Sequence, residues 1–334
     1  MKAENNQLLE VKDLRVQFPI RRGVFKRTVG WIKAVDGVSF SIRHGETLGL
    51  VGESGCGKTT PLRAIVRAVE PSSGEVVFKP PGNGEGTNIP ELENEGLRSV
   101  RQQIRVIFQD PLSSLNPRFR VRDIIAEPLK AYRILKSKNE INTKLEKLMD
   151  NVRLDKIYLN RYPFAMSGGQ MQRIGIGRAL ATDPVLLLAD EPTSALDVSV
   201  QAQILNLLLD LQKEMNLSVL FVTHDLSVIR HVSDRIAVMY LGKIVEIGET
   251  NEVFKNPLHP YTEALFSAIP EPNPHLESRR IILSGDIPGA ADRPSGCPFH
   301  PRCPYFQEIC KVEEPKLQTH NESDQKAACH FPLT

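Results

Sequence analysis

Apolar residues recur along this chain with two periods, near two and near three and a half, and the switching between them lays out its elements. From Leu8 to Phe18 the set Leu9, Val11, Leu14, Val16 and Phe18 alternates imperfectly, and Val38, Phe40 and Ile42 share one face of Val35 to Ile42. Both stretches predict half-buried strands. The Gly- and Arg-containing excursion between them, Arg21 to Lys33, predicts a loop. Thr47 to Val51 reads as an apolar strand, followed by a glycine-rich turn and an amphipathic run from about Thr60. Pro61 removes a helical N–H there, a loss tolerable so near a helix start. Pro71-Ser72-Ser73-Gly74 turns the chain into a short strand, Glu75 to Phe78, and the Gly-, Pro-, Asn- and Glu-rich stretch Lys79 to Glu95 predicts an exposed loop. After a strand at Ile104 to Phe108 the period becomes helical from Asp110 to about Arg161, with Ile141, Leu145, Leu148 and Val152 three or four apart. A helix from Ser167, the apolar strand Val185 to Ala189, the helix Val200 to Met215 and strands Ser218 to Val222, Arg235 to Tyr240 and Lys243 to Ile247 complete the pattern. Continuous apolar strands separated by amphipathic helices imply an α/β fold around a parallel sheet covered on both faces.

Composition adds a boundary. A length of 334 residues suffices for a large core, and beyond Asn256 the chain changes character, with half of its 24 prolines lying there. This predicts a main domain over 1–255, holding a helical subdomain at about 110–175, and an irregular extension over 256–334. Lys and Arg number 42 against 40 Asp and Glu, a net charge of +2 that gives no electrostatic footprint for nucleic acid. The local patch Arg21, Arg22, Lys26 and Arg27 reads as a solvated loop. The first six residues lack the apolar core of a signal peptide, and no apolar run approaches the roughly 18 residues that span a bilayer. An intracellular protein is expected, whose five cysteines are poor candidates for structural disulfides.

Candidate chemistry begins at Gly52-Glu53-Ser54-Gly55-Cys56-Gly57-Lys58-Thr59, which matches the phosphate-cradling pattern G-x-x-x-x-G-K-[ST] between a strand and a helix. Glycines let successive backbone N–H groups curl around an anion, and the following helix turns its positive end toward the same anion. Lys58 is positioned in the pattern to reach β- and γ-phosphates, and the Thr59 hydroxyl to ligate Mg²⁺. The second half of such a site is an apolar strand ending in a carboxylate, supplied by Val185 to Asp190, with Glu191 following at once. A carboxylate there can orient or deprotonate the water that attacks a γ-phosphate. Ser167-Gly168-Gly169-Gln170 forms a capping box on the sequence pattern, and its two glycines leave bare N–H groups at a helix start that suit a phosphate. Cys56, at a helix N-terminus, is expected to carry a thiol of depressed pKa, so that alkylation would block nucleotide binding.

Gly52 to Thr59, Gln109, Ser167 to Gln170, Asp190-Glu191, Ser194-Ala195-Leu196-Asp197 and His224, in that order and spacing, resemble the ATP-binding cassette ATPases over roughly residues 8 to 250. Thr59-Thr60 stands where Ser-Thr is common and Met166 where leucine is usual; neither removes a functional group. The resemblance implies a P-loop ATPase core with an antiparallel β subdomain and a helical subdomain. It implies ATP and Mg²⁺ as cofactors, held by Gly52, Ser54 to Thr60 and Asp190, with Gln109 contacting Mg²⁺ and the attacking water and linking the site to a transmembrane partner. Glu191 is implied as catalytic base and His224 as a γ-phosphate contact. Asp197 is implied to cross a dimer interface at which Ser167, Gly168, Gly169 and Gln170 meet the nucleotide of the opposite subunit. An aromatic residue stacks on adenine in this family, and Phe18 fits best, with Trp31 or Phe25 as alternatives. A soluble cassette acting on DNA or ribosomes would carry tandem cassettes or a long coiled coil, and this chain has neither pattern.

A narrower resemblance lies in Val29 to Val38, in Phe108 to Pro117 and in Asn256-Pro257-Leu258-His259-Pro260-Tyr261-Thr262, which look like the second, F-type ATPase of oligopeptide and dipeptide permeases. It implies a peripheral protein on the cytoplasmic face of the cell membrane. Its partners are then a paralogous ATPase or a second copy, two transmembrane permease subunits and, through them, an extracytoplasmic peptide-binding protein. Related machines move nickel or oligosaccharides. The extension carries Cys297, Cys303, Cys310 and Cys329 at intervals of six, seven and nineteen positions, unlike the tight C-x₂-C pairs of zinc ribbons. Four thiols in a tail with little core of its own suggest a structural metal site, and the resemblance implies a [4Fe–4S] cluster, which some members of the permease family hold there. Zinc, or free thiols packed as small apolar side chains, are the alternatives. With a cluster present, a redox- or metal-sensing ATPase is a second functional reading.

Overall fold

The computed structural model describes residues 6–23, 27–82, 86–269, 281–285, 288–289, 293–320 and 324–333. Phe25 and Lys26, like Met1–Asn5, lie outside the described residues. The chain forms two compact units. One comprises residues 1–8, 42–47 and 78–222, the other 9–41, 48–77 and 223–334.

The first unit carries three parallel strands, Ile104–Ile107, Leu186–Asp190 and Ser218–Val222, with Leu186–Asp190 in the middle. Every residue of Leu186–Asp190 and Ser218–Val222 is buried, which is what a parallel strand covered on both faces requires. Helices Val121–Ala131, Lys138–Asn151 and Gly168–Leu180 pack together beside them, Val121–Ala131 against both others. Their apolar faces supply Ile124, Ile125, Leu129, Leu145, Leu148, Met149, Ile174 and Ile176 to one core. Helix Asn94–Gln103 also belongs here, with Leu97 and Val100 buried. The sequence pattern predicts loop up to Glu95 and no helix after it, because a two-turn apolar stripe among polar residues is a weak periodic signal.

In the second unit, strand Thr47–Val51 pairs in parallel with Arg235–Tyr240, Leu50 opposite Ala237. Arg235–Tyr240 then pairs antiparallel with Lys243–Glu249, which pairs antiparallel with Lys326–Ala327, and that with Gln318–Thr319. A second sheet aligns Arg27–Arg43, Gln7–Arg22 and Ser73–Phe78 in that order. Most of Arg21 to Lys33, predicted as loop, therefore continues these two strands. Residues 27–29 are exposed, so pairing there is carried by backbone hydrogen bonds and leaves no hydrophobic alternation to read.

The described part of the extension beyond Asn256 is tied down by aromatic packing and buried polar contacts. Phe299, 1 % exposed, meets Tyr240 edge-on at 5.4 Å and lies 5.4 Å from Tyr261 and 5.6 Å from His259. Buried Glu246 accepts hydrogen bonds from the backbone N–H groups of Leu258 (2.7 Å) and His259 (2.9 Å) and from Gln325 Nε2 (2.7 Å). Arg293 pairs with buried Asp36 at 2.6 Å. These contacts supply the anchoring that the sequence reading assigned to a cluster.

Candidate functional site

Two sets of candidate residues fall in the two units. In the second unit the loop after strand Thr47–Val51 runs into helix Thr59–Ile65. A Cβ at Gly52 would lie 2.1 Å from the carbonyl oxygen of Met239, and one at Gly57, where φ is +102°, 2.3 Å from that of Ala34. Neighbouring backbone thus presses on the loop from behind, which only glycine permits. Ser54 and Gly55 face solvent, Thr59 and Thr60 are half-buried, and Lys58 is buried under the loop. Its Nζ donates to the carbonyl oxygens of Gly52 (2.7 Å) and Glu53 (2.9 Å). The ammonium is therefore held inside the curl of the loop, where an anion cradled by the loop would meet it. His224 is exposed in the segment before helix Leu226–Val232.

Cys56 departs from expectation. It is 4 % exposed, and burial pushes its thiol pKa up, against the pull of Lys58. Desolvation outweighs the helix end and the nearby cation, so the thiol is neither acidic nor accessible and the alkylation expectation is withdrawn.

In the first unit, Asp190 closes the buried strand Leu186–Asp190 and is itself 6 % exposed. Glu191 follows with φ +44°, a left-handed conformation uncommon for a residue with a Cβ. Its N–H donates to Val222 O at 2.9 Å, its carbonyl accepts from Ser194 Oγ at 3.1 Å, and its carboxylate accepts from Gln109 Nε2 at 3.1 Å. Gln109 and Glu191, 82 positions apart, are thus brought together, a contact with no signature in the sequence beyond the motif order. At Ser167 the capping box is realised: Ser167 Oγ accepts from Gln170 N–H at 3.3 Å, and Gln170 Oε1 from Ser167 N–H at 3.0 Å. Gln170 Nε2 also donates to Tyr158 Oη at 3.1 Å. Gly168 sits within 3.3 Å, at Cβ level, of Leu196, and Gly169 within 2.5 Å of Val200, so the turn lies close against the start of helix Val198–Met215. Asp197 and Val198, at that start, are exposed.

Phe18 is 39 % and Trp31 53 % exposed. Sequence reasoning gave no role to Arg302, nor to Tyr261 and Asp36 within the stretches it quoted; their polar partners in the second unit lie 249, 208 and 257 positions away, which leaves no local signal.

The iron–sulfur and zinc expectations are overturned. Among the described residues no group of three or more His, Cys, Asp or Glu side chains is placed to hold a metal ion. Cys297, Cys303, Cys310 and Cys329 do line one cavity, whose ≈ 20 Å³ has room for about one water. His300 and His330 beside it direct ring nitrogens to the carbonyls of Cys297 and Glu313, both at 2.9 Å. Burial pushes the Cys297 thiol up to about 12 and that of Cys329 up to about 11. The redox- or metal-sensing reading thereby loses the metal group it rested on.

No described helix is long and apolar enough to cross a membrane. Residues 35–194 match the ABC transporter family, and residues 245–310 match the oligopeptide/dipeptide transporter C-terminal region. The chain is 49% identical to the oligopeptide transport ATP-binding protein AppF of Bacillus subtilis, over 98% of each chain. It is 49% identical to the oligopeptide transport ATP-binding protein OppF of Escherichia coli, over 93% of this chain and 92% of that one. The ATP-binding cassette MJ0796, solved as a dimer in a post-hydrolysis state with ADP and Pi, is 29% identical and superposes with a TM-score of 0.63 over 73% of this chain and 99% of that one. The phosphate loop, the carboxylate strand and the capped serine turn thus occur in a chain that belongs to the ABC transporter ATPases, within the oligopeptide and dipeptide permease group.

Proposed function

We propose that this ATPase powers the uptake of oligopeptides or dipeptides, working beside a second ATPase subunit under two membrane permease subunits that receive peptide from an extracytoplasmic binding protein. The relatives' role in oligopeptide transport and the matched C-terminal region support the substrate class. In this reading Gly52, Ser54, Gly55, Cys56 and Gly57 present backbone to the phosphates of ATP, Lys58 turns its ammonium to them, and Thr59 and Thr60 supply hydroxyls. Thr59 in the second unit, and Gln109 and Asp190 in the first, each carry an oxygen donor for Mg²⁺, an ion that when bound neutralises developing phosphate charge. The donor set fits: hydroxyl, amide and carboxylate oxygens are the hard ligands that ion takes. Phe18, or Trp31 in its place, offers an exposed ring to adenine. Glu191 accepts the proton of the attacking water, Gln109 orients that carboxylate, and His224 meets the γ-phosphate.

Exposure at the serine turn supports pairing with a second cassette. Ser167, Asp197 and Val198 face solvent, the last 84 % exposed. A second cassette covering them would bring its own nucleotide against the serine–glycine turn, Ser167 to Gln170. The contact between Gln109 and Glu191 is the observation that carries the hydrolytic reading. Glu191→Gln should keep ATP binding and lose at least about 100-fold in turnover, the scale of a lost general base. Turnover at the parent rate removes Glu191 from the chemistry, and Lys58→Ala should instead weaken ATP binding itself.

A further inference from the structure

The second residue of the phosphate loop, Glu53, is held at three points. Its N–H donates to Tyr261 Oη at 2.9 Å, its carbonyl accepts from Lys58 Nζ at 2.9 Å, and its carboxylate accepts two bonds from Arg302, Nη1 to Oε2 at 2.8 Å and Nη2 to Oε1 at 3.1 Å. Arg302 comes from the C-terminal extension, 249 positions away, and is 8 % exposed against 25 % for Glu53. Its guanidinium also lies 6.0 Å over the ring of Tyr240, which packs on Phe299. A bidentate arginine is thus fixed by the aromatic cluster at the root of the loop.

The charge is out of place for a loop that takes a polyanion. An unpaired Glu53 carboxylate, one carbonyl away from the Lys58 ammonium, would repel the phosphates and compete for that ammonium. We propose that Arg302 is a positioning and charge-neutralising residue for ATP: by masking Glu53 it leaves Lys58 free for phosphate, so the extension sets the nucleotide affinity of the loop. The proposal rests on the reading of Gly52 to Thr59 as the phosphate site. A cavity of ≈ 230 Å³ lined by Glu53, Arg302, Tyr261, Ala264 and Leu265 lets ions reach the pair, which makes the effect sensitive to salt.

The test is the affinity of a fluorescent ATP analogue for the full chain, at low and high salt, with nucleotide-free thermal unfolding measured alongside. Arg302→Ala should weaken binding about fivefold or more at low ionic strength, with the defect shrinking at about 0.5 M salt. Arg302→Lys should recover most of the loss. Glu53→Gln should bind at least as tightly as the parent, and added to Arg302→Ala should bind more tightly than Arg302→Ala, because no carboxylate remains to mask; alone, read against the parent, it covers the case in which Arg302→Ala fails to fold, and a loss of affinity there overturns the proposal. A salt-independent defect, or Glu53→Gln weakening ATP as much as Arg302→Ala does, overturns the proposal and makes the pair a purely structural tie. Lys58→Ala binding the analogue like the parent would instead overturn the phosphate-site reading beneath it.

Discussion

His259 shows how one buried group sets a pH limit. It is 1 % exposed and its Nδ1 accepts the Tyr261 N–H at 3.0 Å, capping helix Pro260–Ser267, while desolvation lowers its pKa from 6.5 to about 3. Between those values the unfolded chain binds the proton and the folded chain does not, so stability is full above pH 6.5 and falls as pH drops, by about 1.4 kcal/mol per unit for one proton. Burial raises the pKa of the neighbouring Glu246 carboxyl, which titrates with the opposite sign, so the ring's share is read from a variant. His259→Asn can keep the cap and cannot titrate; chemical denaturation at pH 7 and pH 5 should show a shallower loss than in the parent. Equal slopes would mean the ring is protonated in the folded state. None of this was legible in the sequence, where His259 was only one residue of an Asn-Pro-Leu-His-Pro run. Cys56 misled for the related reason that its position beside a helix start was visible and its burial was not.

At the level of elements, strands with continuous apolar runs were read to within a residue or two because burial on both faces writes itself into composition. The extended ribbon through residues 19–22 and 27–34 and the helix Asn94–Gln103 were not, since local pairing and one short apolar stripe leave little pattern. Motif order located the phosphate loop, while what holds it, the carbonyls of Ala34 and Met239 and the side chains of Tyr261 and Arg302, comes from distant segments. That support makes the loop intolerant of a Cβ. Gly57→Ala places a methyl 2.3 Å from Ala34 O at φ +102°, and should cost about 1–3 kcal/mol in urea unfolding while weakening ATP binding. A loss of under half a kcal/mol, with binding intact, would show that the loop shifts freely away from its backing.

For the whole molecule, a near-neutral chain of net charge +2 gives no sign of nucleic acid, and its Pro-rich end suggested a metal staple. The staple is instead distributed: an aromatic cluster, a two-residue strand and buried ion pairs, each made with partners too far away in sequence to be foreseen. On the function proposed above, ATP is gripped between two cassettes, and the exposed Ser167 turn and Asp197 of one copy would complete the phosphate site of another. Sedimentation of Glu191→Gln, alone and mixed with its paralogue, in Mg²⁺ with and without ATP, tests this most directly. The expected result is a nucleotide-dependent dimer that Ser167→Arg abolishes without loss of ATP binding; a Glu191→Gln protein that stays monomeric in every mixture at saturating ATP would contradict the account.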